Sequence, residues 1–144
     1  MFIVQSIFYL FKAQTMLPVL SICVGASLGA LARWGLGLWL TPGGAIAWGT
    51  LAANLIGGYL IGVCIAVFQA MPQLDPVWRL LLITGFLGGL TTFSSFSAEV
   101  TEFLLEERYG LALGTAMAHV AGSLLMTVAG IRSASFFIAA RALN

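Results

Sequence analysis

The chain has 144 residues, of which 60% are apolar and 8% are charged, and its mean hydropathy is +1.04. A soluble domain of this size would precipitate with so much apolar surface, so the composition indicates an integral membrane protein. The net charge is +1, which provides no basic surface for nucleic acid. We expect neither nucleic acid nor an organic cofactor as a partner.

Four hydrophobic runs divide the chain into predicted membrane spans. They cover residues 17–40, 45–68, 77–105 and 109–137. Each run reaches the roughly 20 residues that cross about 30 Å of hydrocarbon. Short polar or Pro- and Gly-rich turns separate them at residues 41–44, 71–76 and 106–108. We therefore predict an all-α membrane domain over residues 17–138, followed by a C-terminal tail over residues 139–144.

The first 16 residues form an N-terminal extension. Residues 1–15 are apolar and aromatic but too short to span a bilayer, and they lack the basic region and the cleavage site of a secretory signal. Two alternatives are open. Either the segment forms an interfacial helix, or Met16 is the natural start of the protein.

The third span carries many polar groups for a segment at membrane depth. Residues 84–99 include three glycines, six hydroxyls and one carboxylate. Lipid cannot hydrogen-bond these groups, so they should face a permeation path or a buried site. Gly88 and Gly89, followed by two threonines at 91–92, disfavour a continuous helix, and we predict a break here. Carbonyls freed by a break suit a hard cation such as Na⁺.

Polar residues also recur on the other spans. Thr115, His119, Ser123 and Thr127 follow an i, i+4 spacing and form one stripe on the fourth span. Asn54 is an amide deep in the second span and must find hydrogen-bond partners. It either holds two helices together or serves a site.

Phe93 and Phe96 are spaced i, i+3 and share a face of the third span among hydroxyls. The edge of an aromatic ring carries the positive end of its quadrupole. Rings presented edge-on can therefore accept an anion without trapping it on a full positive charge.

One protomer with four spans has little room for an enclosed polar pathway, so we expect the polar faces to be shared across a homodimer. With the N-terminus inside, the inner side would carry Lys12, Arg79, Arg132 and Arg141, and the outer side Arg33 and Arg108. If Met16 is the start, Lys12 is absent and three basic residues stand against two. This imbalance is too weak to fix one orientation and is compatible with insertion in both.

Residues 85–99, GFLGGLTTFSSFSAE, closely resemble the signature of the CrcB/Fluc fluoride channel family. Three further segments resemble the family: residues 25–34 (GASLGALARW), residues 49–57 (GTLAANLIG), and Gly122 with Ser123. The resemblance covers every predicted span in order.

The resemblance implies a passive, fluoride-selective channel that exports fluoride from the cytoplasm and relieves its toxicity. It implies a multi-pass protein of the bacterial plasma (inner) membrane. It also implies an antiparallel, dual-topology homodimer with two fluoride pores and a structural Na⁺ at its centre.

The resemblance assigns roles to individual residues. Phe93 and Phe96 match the pore phenylalanines, and Asn54 matches the pore amide. Gly88 and Thr91 match the positions whose carbonyls hold the sodium ion.

Further pore residues are expected among the hydroxyls of the third span and along the polar stripe of the fourth span. They are Thr92, Ser95, Thr115, His119 and Ser123. Arg33 matches the vestibule arginine, and we assign Glu99, at the end of the signature, to the vestibule as well.

The polar stripe of the fourth span departs from the family pattern at two positions. His119 stands where relatives carry Ser or Asn, and Thr115 stands where a Tyr can occur. The histidine is either a neutral hydrogen-bonding substitute or a group that adds pH dependence.

Other classes of protein remain to be distinguished. A Na⁺-coupled fluoride transporter is an open alternative. A small multidrug exporter is less favoured, because the first span lacks the carboxylate that proton-coupled export of cations requires. An enzyme would need paired acids, a metal cluster or a nucleophile with a base, whereas Cys23 and Cys64 are isolated.

Overall fold

The computed structural model describes residues 2–41, 43–44 and 46–142, with side chains for residues 16–41, 43–44 and 46–141. Every regular element in these ranges is helical. The helices are α1 (Phe2–Leu40), α2 (Trp48–Ala70), α3 (Pro76–Arg79), α4 (Gly88–Leu90), α5 (Phe93–Leu105) and α6 (Tyr109–Ala142). A π-helical segment, Leu80–Leu87, joins α3 to α4.

The predicted all-α fold is confirmed, and four stretches are long and apolar enough to cross a membrane. They are Met16–Leu40, Trp48–Ala70, Pro76–Leu105 and Tyr109–Arg141. Their ends lie within a few residues of the predicted ones. Helix α6 continues past residue 139, where the tail was expected to begin.

Helix α1 extends back to Phe2. The side chains of residues 1–15, on which the interfacial-helix alternative depends, lie outside the described residues.

Glycines set the close approach of the spans. A β-carbon at Gly25 or Gly29 of α1 would collide with the backbone of the π-helical segment. One at Gly58 or Gly62 would collide with the backbone of α6. These two pairs therefore form the close contacts typical of small residues four apart in membrane helices. At Gly110 and Gly114 of α6, by contrast, a β-carbon would meet nothing within 4 Å among the described residues.

Between α4 and α5 the chain leaves helical geometry for two residues, Thr91 and Thr92, which we call the extended segment. Thr91 has φ −80° and ψ 155°, and Thr92 has φ −151° and ψ 123°. In a continuous helix the N–H groups of Thr92 and Ser95 would donate to the carbonyls of Gly88 and Thr91. Here the Thr92 N–H donates to Oδ1 of Asn54 at 2.8 Å, and the Ser95 N–H donates to Oγ1 of Thr92 at 3.2 Å. The carbonyls of Gly88 and Thr91 thus lose their usual helical partners.

Candidate functional site

An amide side chain of α2 holds the extended segment. Oδ1 of Asn54 accepts the Thr92 N–H at 2.8 Å, and Nδ2 of Asn54 donates to the Thr92 carbonyl at 3.0 Å. One side chain therefore satisfies both backbone polar groups of Thr92 at a depth where lipid offers no partner.

Three rings continue from this amide in a row. Nδ2 of Asn54 lies 2.9 Å from Nδ1 of His119, which is only 4% exposed. The imidazole stacks on Phe96 with ring centroids 4.7 Å apart. Phe96 in turn meets Phe93 edge to face at 5.4 Å and 71°. The shared face predicted for the two phenylalanines is confirmed by this contact.

A cavity of about 490 Å³ runs along this row, bounded by α2, the π-helical segment, α5 and α6. Eight of the residues predicted for the site line it: Asn54, Gly88, Thr91, Thr92, Phe93, Phe96, His119 and Ser123. The cavity reaches the surface of the chain, because Phe93 is 77% exposed and Gly88 is also exposed. Its walls combine aromatic rings and hydroxyls with backbone, and no charged side chain is among its lining residues.

The polar stripe of α6 faces protein, as the spacing predicts. The Ser123 hydroxyl lies 3.5 Å from the backbone carbonyl oxygen of Asn54, and the Thr127 hydroxyl donates to the backbone carbonyl of Ser123 at 2.9 Å. Thr115 is buried and lines a second cavity of about 220 Å³, which it shares with His119. Thr127 lines the larger cavity, although we had not predicted it as a pore residue; the same i, i+4 spacing would have identified it.

Ser95 supports the segment from the α5 side. Its N–H donates to the Thr92 hydroxyl, and the two hydroxyl oxygens lie 3.3 Å apart. Ser95 is not among the lining residues of either cavity.

The two predicted vestibule residues lie on different helices, and neither lines the cavities described above. Arg33 is half-buried, and its Nε donates to the Gly89 carbonyl at 3.1 Å. Glu99 is buried; its Oε1 accepts the N–H of Ala47 at 2.6 Å. Its Oε2 lies 4.0 Å from Nε2 of His119.

Gly57 is a further site residue that the sequence reasoning did not assign. A β-carbon at Gly57 would collide with the methyl group of Thr91. The glycine therefore gives the extended segment room to lie against α2. The sequence contains a pattern that identifies this residue, because Gly57 is spaced i, i+3 from Asn54 and so shares its helix face.

Comparison with known proteins gives consistent matches. The family model described as "CrcB-like protein, Camphor Resistance (CrcB)" matches residues 20–131. A relative named "Fluoride-specific ion channel FluC" from Albidiferax ferrireducens is 72% identical over 126 residues, covering 88% of this chain and 97% of the relative. Relatives of the same name come from Variovorax paradoxus, at 69% over 118 residues, and Pseudomonas aeruginosa, at 55% over 121 residues. These matches cover 82% and 83% of this chain, and 94% and 95% of the relatives.

Proposed function

Because this chain belongs to the CrcB-like protein family, we propose that it is a fluoride-selective passive channel that exports fluoride from the cytoplasm and relieves its toxicity. The observation that carries the proposal is the row of Asn54, His119, Phe96 and Phe93 along one uncharged cavity beside the extended segment. The relatives are named as ion channels, in agreement with a protein that is not an enzyme.

The chemistry of the cavity fits a weakly binding anion path. Fluoride must shed tightly held water to enter, so the wall has to supply donors in its place. The edges of Phe93 and Phe96 and the hydroxyls of Thr92 and Ser123 provide partial positive charge without a cation that would hold the ion. An anion can therefore enter and also leave.

A passive pore is sufficient to remove fluoride from the cell. Hydrofluoric acid crosses membranes in its neutral form and releases fluoride in a near-neutral cytoplasm, where the anion accumulates. An inside-negative potential drives an anion outward by about 2.3 kcal/mol per 100 mV, without ATP or a coupling ion. We place the channel in the bacterial plasma (inner) membrane as a multi-pass protein.

We expect purified protein in liposomes loaded with potassium fluoride to release fluoride when valinomycin lets potassium out. Liposomes loaded with potassium chloride should retain chloride, because we expect the pore beside Phe93 and Phe96 to be too narrow for the larger anion. A fluoride electrode and a chloride electrode measure the two releases. Equal release of both anions, or no release of fluoride, would contradict the proposed selectivity.

The proposed assembly is an antiparallel homodimer in which a second copy covers the open side of the cavity. Phe93 is mostly exposed, and Gly88 is exposed beside polar groups. Such polar groups cannot remain in contact with lipid, so a second copy that covers them is favoured. The nearly balanced basic residues at the two sides are compatible with copies inserted in opposite orientations.

Dual insertion predicts that one loop position is reached from both sides of the membrane. Gly44→Cys, in the exposed turn between α1 and α2, should be labelled in roughly equal parts by an impermeant maleimide added outside and by one sealed inside. Cys23 and Cys64 are first replaced by Ala, and that background protein serves as the control. Labelling from one side only would contradict the antiparallel dimer.

We also propose that a structural Na⁺ lies at the centre of this dimer, held by the carbonyls of Gly88 and Thr91 of each copy. These oxygens fit the role, because the extended segment removes their helical hydrogen-bond partners. Oxygen ligands suit a hard cation, and the ion would supply a fixed positive charge that joins the two copies.

Removal of sodium should lower the thermal stability of the dimer. Saturation at about 100 times the dissociation constant corresponds to roughly 2.7 kcal/mol of stabilisation. We expect the melting temperature to fall when N-methylglucamine replaces Na⁺ at constant ionic strength. Equal melting temperatures in the two buffers, under conditions that leave no contaminating sodium, would remove the support for this site.

A further inference from the structure

We propose that His119 is a positioning residue of the pore: its unprotonated Nδ1 accepts a hydrogen bond from Asn54 and holds that amide in the orientation that clamps Thr92. The inference rests on the proposed channel function for its transport consequence. Its structural part stands on geometry alone and is tested separately.

The orientation of the Asn54 amide follows from its partner on the third span. The Thr92 N–H lies 2.8 Å from one end of the amide, and the Thr92 carbonyl lies 3.0 Å from the other. A flipped amide would place donor against donor and acceptor against acceptor. Nδ2 therefore faces the carbonyl, and its second hydrogen is directed to Nδ1 of His119 at 2.9 Å.

That contact fixes the tautomer of the imidazole. Because Nδ2 of Asn54 can only donate, Nδ1 of His119 must accept and carries no proton. The proton of the neutral ring is then on Nε2, which faces Oε2 of Glu99 at 4.0 Å. This oxygen is buried and has no hydrogen-bond partner among the described residues.

Glu99 is itself held in place from a third helix. Its Oε1 accepts the N–H of Ala47 at 2.6 Å, at the N-terminus of α2, where a carboxylate is favoured. A series of neighbouring groups thus runs from Ala47 through Glu99, His119 and Asn54 to Thr92, with a hydrogen bond at every step except the 4.0 Å separation between Glu99 and His119. It joins α5, α6 and α2 to the extended segment.

One consequence concerns the anion. Both Nδ2 hydrogens of Asn54 are engaged, one by the Thr92 carbonyl and one by His119. The amide therefore positions the segment, and the groups left to face fluoride are the ring edges and the hydroxyls of Thr92 and Ser123, whose contacts as donors are long at 3.3 and 3.5 Å.

The tautomer can be measured directly, because His119 is the single histidine of the chain. Protein labelled with ¹⁵N in the histidine ring, and purified without a histidine tag, gives one pair of ring resonances. We expect a protonated Nε2 and an unprotonated Nδ1 at neutral pH, with the Nδ1 resonance shifting in Asn54→Leu. A proton on Nδ1 in the parent protein would overturn the proposal whether or not the protein conducts fluoride.

Two substitutions separate positioning from packing in the flux assay. His119→Asn is smaller but keeps an acceptor near Nδ1, and we expect flux within about twofold of the parent. His119→Leu fills the space beside Phe96 without an acceptor, and we expect flux reduced by at least about tenfold. The reverse order would show that the side chain only fills volume.

A matched control is available on the same pair of helices. The Tyr59 hydroxyl lies 2.9 Å from the Ser133 hydroxyl, so this contact also joins α2 to α6 but lies away from the row of rings. Tyr59→Phe should leave fluoride flux unchanged, and a loss equal to that of His119→Leu would overturn the proposal. If the parent protein releases no fluoride, the proposed function fails, while the ¹⁵N experiment still decides the role of His119.

Discussion

Replacing Phe96 by isoleucine is expected to reduce fluoride efflux from liposomes by at least about tenfold, which corresponds to ~1.4 kcal/mol on the barrier. Isoleucine fills much of the space but has no quadrupole, so it offers no positive ring edge to a dehydrated anion. It also removes the stacking on His119 at 4.7 Å. The same reduction is expected for Phe93→Ile. Efflux is measured per amount of protein recovered. Substitution of either phenylalanine by methionine should reduce efflux less, because the thioether of methionine is polarizable.

The chain provides a matched control in a second aromatic pair. Phe136 and Phe137 also meet edge to face, at 5.8 Å and 76°, but they are exposed near the end of α6. Phe136→Ile should therefore conduct like the parent. If Phe93→Ile and Phe96→Ile both conduct like the parent, the ring-edge mechanism is wrong. The ion would then be carried by the hydroxyls that line the cavity, those of Thr92 and Ser123.

Asn54→Asp should abolish fluoride flux while the proposed dimer is still recovered. The carboxylate keeps an acceptor for the Thr92 N–H but has no hydrogen for the Thr92 carbonyl or for Nδ1 of His119. It also places a negative charge beside an anion path in a medium of low dielectric. Fluoride release from liposomes and gel filtration of the same sample measure the two outcomes.

The control for charge alone is Gln73→Glu. Gln73 is exposed in the turn before α3, and this change also converts an amide to a carboxylate. We expect its flux to match the parent. Parent-like flux in Asn54→Asp would reduce Asn54 to a packing contact between α2 and the third span.

The spans and the aromatic face could be predicted from sequence because both depend on local periodicity. Runs of apolar residues fix the spans to within a few residues, and the i, i+3 spacing places Phe93 beside Phe96. The i, i+4 stripe likewise predicts that Thr115 and His119 face the protein, and both are buried.

The contacts of the site could not be predicted, because they join residues far apart in the chain. Nothing local indicates that Asn54 pairs with both backbone groups of Thr92, or that Glu99 reaches the N–H of Ala47. Helix propensity is also a weak guide to the residue at which the extended segment begins. Gly88 and Gly89 are helical, and the geometry changes two residues later, where Asn54 and Ser95 supply alternative partners.

The most direct test of the central claim is fluoride release from proteoliposomes under an imposed potassium diffusion potential, with and without a sodium gradient. A passive channel releases fluoride in the direction set by the potential and the fluoride gradient, and we predict the same rate and the same end point under both sodium conditions. Accumulation of fluoride against its own electrochemical gradient, driven by sodium, would contradict the channel and favour a Na⁺-coupled transporter.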